Sequence, residues 1–178
     1  MKDYFEQRAA YNRWANARLY QAALALSEDD YRRDVGAFFK SMHGTLNHLL
    51  MTDRLWMKRL TGEGDHPKEL NAIIHEGRRE LAVARADEDD RIVRAITGLD
   101  EAAFEELHPY RNTAGKPFEA KRRDMLAHLF NHQTHHRGQA HTILSIITGQ
   151  EPPVLDLLAM QRGAKAPDLR ALAAQLAS

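Results

Sequence analysis

Five of the ten histidines fall within fourteen residues, at His128, His132, His135, His136 and His141, among Leu, Phe, Ile and Ala side chains. Imidazole both titrates near neutral pH and ligates many transition metals, so chemistry, if this chain performs any, is placed here. His132 and His136 are four apart and therefore share one face of a helix. An H-x-x-x-H pair presents two imidazoles to one metal ion, as in the H-E-x-x-H metalloproteases, but here Gln133 follows His132 where those enzymes carry glutamate. The usual protease reading is thereby excluded. Such a pair also arises in ordinary cores as two hydrogen-bonded histidines, and only the surrounding residues can decide between the two. The chain has no cysteine, so there is no thiolate ligand, thiol nucleophile or disulfide. A transition metal would have to be held by histidine with carboxylate or water.

Apolar spacing defines the helix that carries these rings. Met125, Leu129, Ala140, Ile143 and Ile147 keep the three-and-four period of one face, Gly149 supplies a C-cap, and the start falls near Glu119. At roughly 100° per residue, His132 and His136 lie within about 40° of that apolar line, His128 and His135 sit on its edge, and His141 projects away. A second source of imidazole is the helix that begins at the N-cap Ser41, with Met42, Leu46, Leu49, Trp56 and Leu60 as its stripe and Gly62 as its stop. Asn47, Arg54 and Lys58 mark its solvent side. Ser41, Gly44, Thr45, His48, Thr52 and Leu55 form a strip of mostly small residues that suits a cavity wall. From periodicity alone, His43 lies as close to the apolar stripe as His48 does.

Elsewhere, Asp3 to Leu26 predicts a first helix, and Tyr31 to Phe39 a short connector. A third helix is predicted from Glu69 to Gly98, with the charged middle RRELAVARADEDDRI and His75 on its solvated surface. Leu99 to Pro117 reads as an extended crossover or small hairpin before the fourth helix, and Pro152-Pro153 introduces two short tail helices, Val154 to Arg162 and Ala166 to Ala177. The pattern is all-α, a four-helix bundle, in one domain spanning residues 1–178: that length, at 43% hydrophobic residues, builds one core and is short for two. Lys plus Arg equals Asp plus Glu at 25 each, which argues against a nucleic-acid surface. The opening MKDYFEQRAAYNRW lacks the apolar stretch of a secretion signal, and no window approaches the apolar run of a membrane span, so a cytoplasmic location is expected.

Three stretches, YNRWANARLY in the first helix, TLNHLLMTDRLWMKRLTG in the second and HLFNHQTHHRGQAHTILSIITGQ in the fourth, give the chain a resemblance to the DinB/YfiT family of metal-dependent helical-bundle proteins. This is not the DNA polymerase of the same nickname. The resemblance implies a divalent transition metal held by three histidines, one from the second helix and the H-x-x-x-H pair of the fourth, which match His48, His132 and His136. Zinc or nickel is favoured, with iron or manganese as further candidates. Three neutral imidazoles would leave one coordination position open, the catalytic arrangement for zinc, and proton competition would weaken binding below about pH 6. Relatives that resemble this bundle include thiol-dependent transferases and isomerases, so the implied partners are a low-molecular-weight thiol and a small electrophile. The alternatives are a metal-assisted hydrolase and a non-enzymatic, stress-related metal- or ligand-binding protein. Asn131, Arg137 and Gln139 are candidates to orient an imidazole, and Asp53 to support one from behind. Trp14 and Trp56 are expected in the core. Relatives often pair through bundle helices, and Leu50, Met51 and Met57 broaden the apolar surface of the second helix, so a homodimer is expected.

Overall fold

The computed structural model describes residues 1–65, 67 and 69–176, and four long helices dominate it: α1 (Lys2–Leu24), α3 (Met42–Thr61), α4 (Arg78–Thr97) and α5 (Arg122–Thr148). Both α1 and α3 pack on α4 and α5, which closes a four-helix bundle. The connector between the first two contains α2 (Glu28–Arg32), capped by the Ser27 side chain. Leu107–Arg111 (β1) and Pro117–Lys121 (β2) form an antiparallel hairpin with Leu107 opposite Lys121, and it lies against α3 and α5. The crossover is thus the hairpin form. Short tail helices α6 (Leu157–Gln161) and α7 (Leu169–Ala174) follow, α7 packing on α4 and α1. Among the described residues no helix is long and apolar enough to cross a membrane.

The caps explain the sharp ends of α3. Ser41 Oγ accepts from the Gly44 N–H at 3.1 Å, and Gly62 ends the helix at φ 76°, a left-handed conformation that a Cβ would strain. Gly149 closes α5 in the same way at φ 63°.

The bundle interior is layered. Leu19, Tyr20, Met42, Leu46, Leu49, Leu81, Ile143 and Leu144 belong to one apolar cluster, and Phe5, Met57, Ile92, Phe104, Met125 and Leu129 to another. Their order along each helix shows that α1 and α5 run one way and α3 and α4 the other. Between the clusters every long helix contributes polar groups: Asn12 and Asn16, Asp53, Arg85 and Asp89, and Gln133 and Arg137, all buried. Arg85 bridges Asp53 at 2.8 Å and Asp89 at 3.0 Å. Asn16 donates to Asp89 at 2.9 Å, Arg137 donates to the Asn12 and Asn16 side-chain oxygens, and Gln133 donates to Asp53. Burial pushes the Asp53 carboxyl up to about 7 even though Arg85 pulls it down, and raises Asp89 as well.

Several sequence expectations change here. The middle of α4 is not a solvated face: Arg85, Glu88 and Asp89 are buried, because a charged run lines the interior once its partners arrive from other helices. The third helix begins at Arg78 instead of Glu69. Asn47 explains why, for it is buried and not on the solvent side: its Oδ1 accepts the backbone N–H groups of Ile74 and His75, each at 3.0 Å, and its amide donates to the His75 carbonyl at 3.2 Å. Those bonds hold the segment before α4 in a non-helical path. The fourth helix begins at Arg122 instead of Glu119, since residues 119–121 are committed to β2. The tail helices are shorter than predicted, and Ala177 lies outside the described residues. Leu50, Met51 and Met57 are buried within the single chain, so the surplus that the sequence assigns to a second copy is taken up inside the bundle.

Candidate metal centre

Three rings meet between α3 and α5. His48 comes from the second turn of α3, four residues after Gly44, while His132 and His136 come from successive turns of α5. One nitrogen from each lies within 4.8 Å of the others, an arrangement that could hold a metal ion. Ring centroids are 4.2 Å apart for His132 and His136, 4.4 Å for His48 and His136, and 5.3 Å for His48 and His132.

Outer hydrogen bonds decide which nitrogens face inward. His48 Nδ1 is 2.7 Å from the Leu70 carbonyl, which can only accept, so Nδ1 carries the proton and Nε2 is the lone pair. His136 Nδ1 donates to Gln139 Oε1 at 2.7 Å, with the same result. The two Nε2 atoms therefore point lone pair to lone pair across 3.3 Å, a repulsive contact unless a cation stands between them. Two nitrogens bound to one zinc ion at about 2.05 Å and a tetrahedral angle would lie about 3.3 Å apart, so the donor set fits a metal. His132 Nδ1 stands 3.5 Å from Thr52 Oγ, whose own proton goes to the His48 carbonyl. Carbonyl, carboxamide and hydroxyl thus act on the three rings as outer partners commonly do at metal sites.

Burial keeps these imidazoles neutral. Desolvation, with repulsion from His136 added, lowers His48 to about 4, and desolvation with the neighbouring rings lowers His132 to about 3. His136 is lowered too, first by desolvation. A depressed imidazole pKa means that the lone pair persists at acid pH, so protons compete with a metal later than the ordinary value near 6.5 implies. Three ordinary imidazoles would cost about a thousandfold in affinity between pH 7.5 and 5.5. Here a competition titration at the two pH values is expected to show less than about tenfold.

The remaining candidates disperse. His43 is engaged elsewhere, with Nε2 at 2.9 Å from the His75 carbonyl and Nδ1 receiving Arg32 at 3.2 Å, and it stays outside the group that His48 joins. His128 packs on Trp56 and is exposed, and His141 bonds the Pro153 carbonyl at 3.0 Å. His135 is exposed, edge-on to His136 at 4.7 Å, and its Nε2 is 3.4 Å from the Gln139 amide nitrogen. Of the proposed orienting residues, Gln139 holds His136, whereas Asn131 is exposed and Arg137 belongs to the buried polar layer. Asp53 belongs to that layer too and bonds no imidazole: it serves Arg85 and Gln133. Trp14 is buried as expected, while Trp56 is only partly covered. Sequence reasoning missed Phe39, whose ring stacks on His48 at 3.9 Å and 20°, and the Leu70 carbonyl, because nothing in a connector signals either contact. Gln139→Ala is expected to weaken metal binding about 10–100-fold without unfolding the chain, checked by competition with a chromophoric chelator.

Fold and site together define a class: a four-helix bundle carrying an open group of three imidazoles between two of its helices. The chain belongs to the DinB family, whose profile matches residues 1–170. It is similar to Protein DinB of Bacillus subtilis (strain 168), 22% identical over 154 residues that cover 81% of this chain and 86% of that protein.

Proposed function

We propose that this protein is a divalent-metal-dependent enzyme in which a low-molecular-weight thiol attacks a small electrophile, as a transferase or isomerase. One observation carries the reading: beyond the three imidazoles, the described lining of the pocket is Phe38, Phe39, Leu70, Asn71, His135 and Gln139, with no carboxylate. A divalent ion held there, zinc or nickel by preference, would keep a thiol ionised at neutral pH. A thiol is far more acidic than water, so an ion held by three neutral imidazoles would ionise it without help from a carboxylate, whereas bound water would gain more from a base beside it. The chain's own part is positional. The Leu70 carbonyl and Gln139 turn two lone pairs to one point, Thr52 stands behind the third ring, and Phe39 covers the flank of His48.

The second reading, a metal-assisted hydrolase, is favoured by His135, an exposed imidazole on the pocket rim able to serve as base. Turnover of an aryl halide and of an activated ester by zinc- or nickel-loaded protein, with and without added thiol, separates the two. The expected result is a rate that rises with thiol concentration and vanishes with chelator. Thiol-independent ester turnover that is lost in His135→Ala would replace this reading with the hydrolase. No turnover of either substrate would leave a metal- or ligand-binding protein.

A further inference from the structure

The mouth of the three-imidazole pocket has a composition that the metal alone does not require. Phe38 is 85% exposed, far more than an aromatic side chain ordinarily is, and Leu70 is 45% exposed. Both line the same pocket of 490 Å³ as His48, His132 and His136, which are more buried than either.

The display of Phe38 is built into its loop. Val35 N–H donates to the Lys40 carbonyl at 2.9 Å, Lys40 N–H to the Ala37 carbonyl at 2.7 Å, and Asp34 accepts from the Gly36 N–H at 2.9 Å. Gly36 at φ 77° and Lys40 at φ 67° take the left-handed turns that such a tight reversal needs. Phe39 then faces inward onto His48, and Phe38 stands edge-on to it at 4.9 Å. Gly44 lets this loop lie on the first turn of α3, since a Cβ there would collide with the Phe39 carbonyl oxygen. Leu70 is fixed from the other side, because its carbonyl holds His48.

Charge supplies the second half of the argument. The described lining contains no Asp, Glu, Lys or Arg, and its imidazoles are neutral ligands. A divalent ion there keeps both positive charges uncompensated, so the group completing its coordination is favoured as an anion. The body attached to that group meets aromatic and aliphatic walls. Covering Phe38 and Leu70 removes apolar surface from water, the term that drives such binding.

We propose that this pocket selects a ligand with one anionic metal-ligating atom on an apolar, aromatic body, and that Phe38 is the specificity-determining residue that receives the body. The proposal rests on the three-imidazole metal reading above. It names the chemical class of what enters the site: an aryl or aralkyl compound, in preference to a polar or multiply charged one.

Calorimetric titration of the zinc-loaded protein with benzyl mercaptan and with 2-mercaptoethanol tests it, because the two probes share a thiol head and differ in the body. Benzyl mercaptan is expected to bind at least tenfold more tightly. Phe38→Ser is expected to erase most of that preference while keeping the metal content and the affinity for 2-mercaptoethanol, since the side chain is too exposed to support the fold. Gly44→Ala, which displaces the loop and touches no imidazole, is expected to reduce the preference in the same direction. Equal affinities in the zinc-loaded parent protein, or a preference that survives Phe38→Ser, would overturn the proposal and leave the metal site standing. Failure of the parent protein to take up zinc would overturn the metal reading and this proposal with it, and metal analysis before titration tells the two failures apart.

Discussion

Purified His136→Ala, and equally His48→Ala or His132→Ala, is expected to lose stoichiometric metal, while His135→Ala and His43→Ala keep it. The three residues that should matter bring one nitrogen each within 4.8 Å, whereas His43 has both nitrogens engaged by Arg32 and the His75 carbonyl, and His135 stands at the rim. Removing an outer partner of a ligand costs about 10–100-fold, so removing a ligand itself should cost more and leave under a tenth of the metal after dialysis. Elemental analysis of untagged protein reads the result directly. Similar losses in all five variants would mean that the metal is held diffusely by the histidine-rich stretch and not by these three rings.

Arg85→Met is expected to destabilise the fold by about 3–5 kcal/mol, the range for breaking a buried ion pair from one side. Asp53 and Asp89 would then be left in the interior without their shared cation. For a chain of this size that corresponds to a fall of about 10 °C in melting temperature. The pH dependence has a definite sign. Both carboxyls already titrate above their ordinary range, so the folded state binds protons that the unfolded chain releases, and loss of Arg85 raises them further. The destabilisation should therefore be larger at pH 8 than at pH 5. Thermal melts by circular dichroism at the two pH values check this, and a change below about 1 kcal/mol at pH 8 would mean that water or a relaxed backbone solvates the pair.

These outcomes bear on what could be read from the chain unaided. Three of the four apolar periodicities locate their helices, α1, α3 and α5, to within a few residues, and the caps at Ser41, Gly62 and Gly149 fall where the sequence puts them. His132 and His136 are legible because helical spacing alone puts them on one face. His48 is not, because His43 satisfies the same periodicity, and only partners distant in sequence, Arg32 and His75 against Leu70 and His136, tell them apart. The same reason hides the interior role of Arg85 and Asp89: local pattern assigns charges to water, and their true partners lie on α1 and α3. Asn47 misleads similarly, since its side chain replaces backbone partners for a segment 27 residues away.

The two helices that share the three imidazoles are far apart in the chain, His136 following His48 by 88 positions. In a protein without cysteine, an ion held there would act as a removable cross-link that closes a loop of that length. By the chain-entropy argument used for disulfides, such a closure limits the unfolded ensemble by about 4–5 kcal/mol at most. The loop encloses all of α4 and the β-hairpin but leaves α1 and the tail outside it. Metal supply would thereby restrict only the segment from α3 to α5 in the unfolded chain, while α1 and the tail keep their full freedom whether the clasp is shut or open.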